Sequence, residues 1–167
     1  MTDFMFPIRA HSVEISGRAE RFAVRRIFCV GRNYEEHAKE FGNDERDPPF
    51  FFTKPADAIV PSGAVLAYPS LTQDLHHEAE LVVAVGVGGR NSTAETAASK
   101  IFGFASGNDL TRRDLQTDAK SQRRPWDMSK AFDESAVIGT IVPGQSISPD
   151  AAIRCHVDGQ LRQNAKI

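Results

Sequence analysis

The sequence predicts an α+β chain that is mainly β. Short runs rich in β-branched and aromatic residues recur along its length, the helix-period segments are few and brief, and the two kinds do not alternate as a doubly wound sheet requires. The glycine cluster Gly86-Val87-Gly88-Gly89 lacks the third glycine of a dinucleotide-binding loop at the required spacing and reads as a turn.

Ser12-Val13-Glu14-Ile15 alternates polar and apolar residues, Ser16-Gly17 can turn, and Arg26-Ile27-Phe28-Cys29-Val30 is an apolar run ending at Gly31, so residues 12–30 read as short strands. Asn33 with Glu36 forms a potential capping box, which predicts a short helix over 34–41 closed by Gly42. Residues 43–49 are polar and proline-bearing, a loop. Phe50-Phe51-Phe52, followed by Lys54-Pro55, reads as a buried strand or as an exposed wall for a ligand. After the turn at Pro61-Ser62-Gly63, β-branched density over 76–86 favours a strand. Residues 93–100 predict a helix capped by Ser92 or Thr93, and residues 101–109 another strand. Thr111 with Asp114 makes a second potential capping box, for a helix over 112–121 that stops before Arg124-Pro125. A further strand is expected over 136–142. Asp158-Gly159, between 153–157 and 160–163, marks a hairpin, because Asp-Gly accepts the positive φ angles of a type I′ turn.

At 167 residues the chain has a one-domain length and can bury about 68–70% of its unfolded surface without a disulfide or metal staple. Apolar residues at 41% and charged residues at 25% exclude disorder, collagen and coiled coil. Twenty Lys and Arg against 22 Asp and Glu give a net charge of −2, so no basic excess points to nucleic acid. No run approaches 18 apolar residues, and Met1 to Pro7 is not a basic segment leading into an apolar one; neither a membrane span nor secretion is expected, and the cytoplasm is the expected location. Cys29 and Cys155 have no C-x-x-C spacing and are expected as buried thiols, not as a disulfide.

Glu78 and Glu80 lie two apart in a predicted strand, so both carboxylates share one face while Ala79, Leu81 and Val83 share the other. Two like charges on one face need either solvent, as on an edge strand, or a cation. Oxygen donors without Cys would select Mg²⁺ or a similar ion over structural zinc. Asp109, between a strand and a helix, is a cap or a third oxygen ligand. Arg113 and Gln116, three apart on the next helix, are solvated residues or neighbours of such a site. Lys130 is a snorkelling surface lysine or a site residue. His37 and Glu40, three apart on the first helix, are an exposed pair or a pair that holds a water and takes its proton. His11, His76, His77 and His156 read as structural because no zinc spacing includes them, and no serine lies in a G-x-S-x-G frame.

Five motifs in order, Val30-Gly31-Arg32-Asn33-Tyr34-Glu35-Glu36-His37, Phe52-Thr53-Lys54-Pro55, His76-His77-Glu78-Ala79-Glu80-Leu81, Asp109-Leu110-Thr111-Arg112-Arg113-Asp114-Leu115-Gln116 and Pro125-Trp126-Asp127-Met128-Ser129-Lys130-Ala131-Phe132, resemble the fumarylacetoacetate hydrolase family, closest to its small bacterial fumarylpyruvate hydrolases and acylpyruvases. The resemblance implies a mixed β-sandwich roll, assembled as a homodimer, with residues 24–167 as the catalytic domain and 1–23 as a strand segment packed on it. It implies Glu78, Glu80 and Asp109 as ligands of Mg²⁺ or Mn²⁺, with Ca²⁺ able to stand in. Lys130, Arg113 and Gln116 match groups that meet negative charge on the substrate, and His37 with Glu40 matches the water-activating pair. Arg32 is placed by position and charge where it could meet a distal carboxylate. Family members continue past the point matching Ile167 through a Gly-Thr-Pro-containing loop that is absent here, so the roll is expected to be incomplete at its C-terminus.

The implied activity is metal-dependent hydrolysis of a carbon–carbon bond in an acylpyruvate, such as fumarylpyruvate to fumarate and pyruvate in aromatic-compound degradation by a gentisate-type route. Two rival outcomes stand beside it. The same site could serve oxaloacetate decarboxylation or tautomerisation, or isomerisation of a related oxo-acid, or the chain could be a catalytically silent binding or assembly protein.

Overall fold

The computed structural model describes residues 4–7, 10–31 and 48–167. The helix expected over 34–41, and with it Arg32, His37 and Glu40, lies outside them.

Strands β1 (Ser12–Glu14) and β2 (Arg21–Ala23) form an antiparallel hairpin. Alternation turns Val13 into the core and leaves Ser12 and Glu14 outside, where both bond the Arg21 guanidinium at 2.9 and 3.2 Å. β3 (Ile27–Gly31) pairs antiparallel with β4 (Phe50–Lys54). The phenylalanine run divides between the two readings. Phe50 and Phe52 face a cavity together with Cys29 and Lys54, whereas Phe51 on the opposite face is 62% exposed. A Cβ on Gly31 would fall 2.1 Å from the tip of the Phe50 ring that lies across it, so a larger residue there would displace that ring.

The central sheet contains β5 (Ile59–Pro61), and β6 (Leu75–His76) follows as a short separate strand ahead of β7 (Ala79–Val85). The single strand expected over 76–86 is therefore broken at His77-Glu78. There the Glu78 N–H bonds the Asn108 side chain (2.9 Å) and the Ala79 N–H bonds the Gln163 side chain (2.8 Å), so side chains replace ladder carbonyls. Helix α1 (Ala94–Ala98) is capped by Thr93, whose hydroxyl accepts from the Thr96 N–H. β8 (Ile101–Asp109) spans the stretch expected of it and is the spine of the sheet, pairing antiparallel with β7 along one edge.

β9 (Thr111–Arg112) pairs with β6 and runs directly into α2 (Arg113–Ser121). The expected capping box at Thr111 and Asp114 does not form. Thr111 is fully buried in a strand and its hydroxyl donates to the Asp109 carbonyl, while the Asp114 carboxylate takes the Thr72 hydroxyl (2.6 Å) and the Gln73 N–H (2.9 Å). A tertiary tether has replaced the local cap, and those bonds hold the half-buried Asp114 carboxyl below its ordinary range. A short helix that the sequence had not indicated, α3 (Asp127–Lys130), follows.

The strand expected over 136–142 divides into β10 (Ala136–Ile138) and β11 (Val142–Pro143), both antiparallel to β8, with β10 also parallel to β5. Between them the Ile141 N–H bonds the Glu14 carbonyl, which carries the chain over to the first hairpin. β12 (Ala152–Val157) and β13 (Gln160–Lys166) form the expected hairpin, with φ of 51° at Asp158 and 76° at Gly159.

One face of the β7–β8–β10 sheet has two halves. Val82, Ala84, Ala105 and Ile138 form its apolar half and join Val13 and Ile141 in the core, with Phe22, Ile27 and Phe102 packed around them. The same face continues into Glu78, Glu80, Gly107 and Asp109. Carboxylates thus stand on the rim of the core, where the sheet emerges into the cavity. Among the described residues no helix is long and apolar enough to cross a membrane.

Candidate active site

Glu78 and Asp109 are direct cross-strand neighbours, since the Asp109 N–H donates to the Glu78 carbonyl at 2.8 Å and continues the β7–β8 register. Their side chains meet at one cation. Lys130 Nζ lies 2.7 Å from both Glu78 Oε2 and Asp109 Oδ2, and it donates to Thr111 Oγ1 at 2.6 Å. Lys130 reaches them because α3 ends there: Ser129 bonds back to the Trp126 carbonyl, and Arg112 lies over the Phe132 ring (4.2 Å) while donating to the Met128 carbonyl.

A second ammonium closes the cluster. Lys54 Nζ stands 2.8 Å from Asp109 Oδ1, an ion pair without hydrogen-bond alignment, and donates to the carbonyls of Leu110 (3.1 Å) and Lys130. Lys54 and Lys130 are each 2% exposed and Asp109 is 8% exposed, so these charges interact through a medium far less screening than water. On α2, Arg113 donates to Glu78 Oε1 and to Gln116 Oε1, and its Nε–H donates to His76 Nδ1 (3.3 Å), whose Nε2 contacts Asp74 at 2.9 Å. Gln116 is buried below it.

Glu78, Asp109, Lys54, Lys130, Arg113 and Gln116 line a cavity of about 890 Å³ that Glu80, Cys29, Phe50, Phe52, Lys120 and Trp126 also line. Trp126 meets Phe50 edge-on (5.2 Å) and Phe52 at a tilt (5.7 Å), forming an aromatic wall.

Burial pushes the Glu78 carboxyl up, but Lys130 and then Arg113 outweigh it and hold the group below its ordinary value. Burial lowers Lys54, with Asp109 opposing. Cys29 and Cys155 are free and half-buried, where full burial was expected. Burial, assisted by Asp109, pushes the Cys29 thiol up to about 12, so it is protonated at neutral pH and no nucleophile. Native protein treated with iodoacetamide near pH 8 is expected to leave Cys29 unlabelled by mass spectrometry, whereas urea-unfolded protein labels. Equal labelling in both states would contradict this.

The structure thus brings together Glu78, Asp109, Lys130, Arg113 and Gln116 of the residues expected from sequence, and places Glu80 on the same cavity. Lys54 is the member of this charged cluster that sequence reasoning left without a role. The signal was present: in Phe50-Phe51-Phe52-Thr53-Lys54 the period of two puts a lysine on the face of Phe50 and Phe52, where an unpaired charge would be costly.

Among the described residues no three His, Cys, Asp or Glu side chains close on one point, because Lys130, Lys54 and Arg113 hold the oxygens of Glu78 and Asp109. The backbone placement nonetheless fits a hard cation. Glu78, Glu80 and Asp109 offer only oxygen, stand on one face, and two of them already converge on a single positive centre. Gly107, opposite Glu80, offers no side chain where a Cβ would come within 2.7 Å of Val82 Cγ2, which keeps that face open.

A strand-borne acidic cluster buttressed by lysines, on a mainly β α+β fold, defines a class. Residues 26–167 match the family described as Fumarylacetoacetate (FAA) hydrolase, C-terminal, and the chain belongs to that family. Its similarity extends to individual members. The crystal structure of fumarylpyruvate hydrolase from Pseudomonas aeruginosa in complex with Mn²⁺ and pyruvate superposes with a TM-score of 0.91 at 48% identity, covering 98% of this chain and 73% of that one. A fumarylpyruvate hydrolase of a Ralstonia species is 42% identical over 71% of this chain and 62% of its own length. A mitochondrial oxaloacetate decarboxylase of Dictyostelium discoideum is 37% identical over 83% of this chain and 65% of its own. The chain therefore spans just under two thirds of the length of these curated relatives.

Proposed function

We propose that this chain belongs to an acylpyruvate hydrolase that splits fumarylpyruvate and water into fumarate and pyruvate, with residues 24–167 as its catalytic domain. The observation that carries this reading is the convergence of Glu78, Asp109, Lys130, Arg113 and Gln116 on one cavity. The likeness to an enzyme crystallised with Mn²⁺ and pyruvate supports it. Glu78, Glu80 and Asp109 would hold Mn²⁺ or Mg²⁺, which when bound polarises a substrate carbonyl and offsets negative charge developing on it.

The chain's own groups do the rest. Arg113, a planar fork already anchored by His76 and Gln116, binds the 2-oxo acid carboxylate. Gln116 donates to a substrate oxygen whose charge grows in the transition state, and the Lys130 ammonium, whose three N–H groups go to Glu78, Asp109 and Thr111, offsets that charge through space. His37 and Glu40 hold the attacking water and take its proton. The water oxygen bonds to the 4-oxo carbon, the bond between that carbon and the pyruvate methylene breaks, and its electron pair passes to the pyruvate fragment, which is protonated at carbon. Phe50, Phe52 and Trp126 exclude water from the acyl side.

Pyruvate release from fumarylpyruvate is expected to require added Mn²⁺ or Mg²⁺ and to stop with EDTA. His37→Ala is expected to lower kcat about 100-fold or more. The similarity to oxaloacetate enzymes supports a second reading, decarboxylation or tautomerisation of oxaloacetate. Those reactions need no activated water, so oxaloacetate turnover that survives His37→Ala, without any pyruvate release from fumarylpyruvate, would favour it. In the first reading the protein works as a cytoplasmic homodimer, and a monomer mass by light scattering would remove the dimer.

A further inference from the structure

His76 reads from sequence as a structural histidine, yet it is the residue on which the Arg113 side chain hangs. β6 is only Leu75–His76, and its pairing with β9 sets His76 opposite Thr111 and Leu75 opposite Arg112. The Arg113 N–H extends that ladder by donating to the Asp74 carbonyl at 2.8 Å. Asp74, His76 and Arg113 are thereby gathered at the start of α2. The segment ahead of β6 is itself fastened to α2, because the Thr72 hydroxyl and the Gln73 N–H donate to Asp114 while the Asp74 N–H donates to Thr72 Oγ1 at 3.1 Å.

The imidazole bridges two charged groups. Its Nε2 contacts Asp74 Oδ1 at 2.9 Å, and its Nδ1 meets the Arg113 Nε–H at 3.3 Å. An ionised carboxylate only accepts and a guanidinium only donates, so one tautomer satisfies both contacts, with the proton on Nε2 and the lone pair on Nδ1. Asp74 thus keeps an acceptor turned toward Arg113.

Among the described residues each guanidinium nitrogen has one partner: His76 at Nε, Gln116 at Nη1 and Glu78 at Nη2. One N–H on each terminal nitrogen is left for a ligand. The three anchors are not equivalent. Glu78 also takes Lys130 and belongs to the acidic cluster, and Gln116 lines the cavity in which substrate binds. His76 does not line that cavity, so a ligand there does not compete for it. Because the guanidinium is planar through Nε, a bond to the Nε–H sets the plane in which the terminal N–H groups point.

We propose that His76, with its tautomer set by Asp74, is a positioning residue that fixes the plane of Arg113 for two-point binding of the 2-oxo acid carboxylate. This rests on the acylpyruvate reading for the ligand of Arg113, and adds a residue from outside the cavity. An anchor outside the cavity keeps the plane when a ligand draws on Gln116 and Glu78.

The test compares pyruvate with pyruvamide, which carries a neutral amide in place of the carboxylate, by calorimetry with Mn²⁺ present. The side chains of His76 and Asp74 are 45% and 52% exposed, so His76→Leu empties no buried space. It is expected to weaken pyruvate about fivefold, the worth of one hydrogen bond, and to leave pyruvamide within about twofold. His76→Asn keeps a carbonyl oxygen near the position of Nδ1 and is expected to recover most of the loss. Arg113→Met is expected to weaken pyruvate by itself, and His76→Leu added to it is expected to change nothing beyond about twofold. A His76→Leu effect that persists in the Arg113→Met background, or that pyruvamide shares, marks a merely structural role and overturns the inference, as does unchanged pyruvate affinity in His76→Leu. If the wild type does not prefer pyruvate to pyruvamide, or Arg113→Met leaves the preference intact, the carboxylate role of Arg113 in the acylpyruvate reading fails and the inference falls with it. A preference that depends on Arg113 but not on His76 sinks the inference alone.

Discussion

Replacing Lys130 by Met is expected to destabilise the chain by about 3–5 kcal/mol at neutral pH, because one substitution leaves two carboxylates in poorly solvated surroundings without their shared partner. Glu78 Oε2 and Asp109 Oδ2 both depend on Lys130 Nζ at 2.7 Å, and the buried Thr111 hydroxyl loses a donor as well. Turnover is expected to fall by about 10²–10³, the order expected when a charge that stabilises the developing oxyanion is removed. The pH dependence has a defined sign. Burial raises Glu78, but Lys130 and Arg113 bring it below its ordinary 4.5, so its contribution to stability is whole above that value and is lost as pH falls through the native one. The gap between wild type and variant should therefore be widest near pH 7 and narrow below about pH 4.5, as read by urea denaturation. A gap that is small at pH 7, or that grows on acidification, would show that Lys130 does not couple these carboxylates.

Replacing Lys54 by Met has the next largest expected effect, about 3 kcal/mol of lost stability, since Asp109 Oδ1 and the carbonyls of Leu110 and Lys130 all turn toward that ammonium. These contacts tie β4, the end of β8 and the end of α3 together. The variant should therefore also weaken Mn²⁺ binding, measured by calorimetry apart from turnover. Burial lowers the native pKa of Lys54 below 10.5, although Asp109 opposes it, so in this range the unfolded chain binds more protons and Lys54 makes stability rise with pH up to about 10.5. Cys29 acts in the opposite sense above 9.0, because its raised native pKa keeps the thiol protonated while the unfolded thiol ionises. Because the Lys54 charge itself pulls the Cys29 thiol down, the two titrations are coupled, and the comparison is made in a Cys29→Ala background so that the difference reports Lys54. A difference that stays flat through the alkaline range would count against a buried, charge-bearing Lys54.

Local pattern accounts for much of the fold. Residues 101–109 form one strand as their apolar run indicates, and Asp158-Gly159 turns the last hairpin with both φ angles positive. These features were legible because they depend on a residue's own backbone preferences and on period-two alternation. The failures share one cause. The Thr111–Asp114 capping box, the unbroken strand over 76–86 and the single strand over 136–142 are local solutions displaced by longer-range partners: Thr72 and Gln73 for Asp114, Asn108 and Gln163 ahead of β7, and Glu14 for Ile141. A hydrogen bond that a segment can make locally is replaced at little cost by one made across the fold, and sequence spacing does not record the exchange.

The site divides in the same way. The sequence by itself determined which residue types stand on which face, namely Glu78 with Glu80, Arg113 with Gln116, and, in retrospect, Lys54 with Phe50 and Phe52, because strand and helix periods fix direction from the backbone alone. Only the tertiary structure decided which of those faces meet. It set Asp109 opposite Glu78, brought Lys54 and Lys130 from distant segments onto the same carboxylates, and ran the Lys120 face of α2 along the aromatic wall. The physical reason is that buried charges must be paired, and the carboxylates that pair Lys130 lie 21 and 52 residues away along the chain.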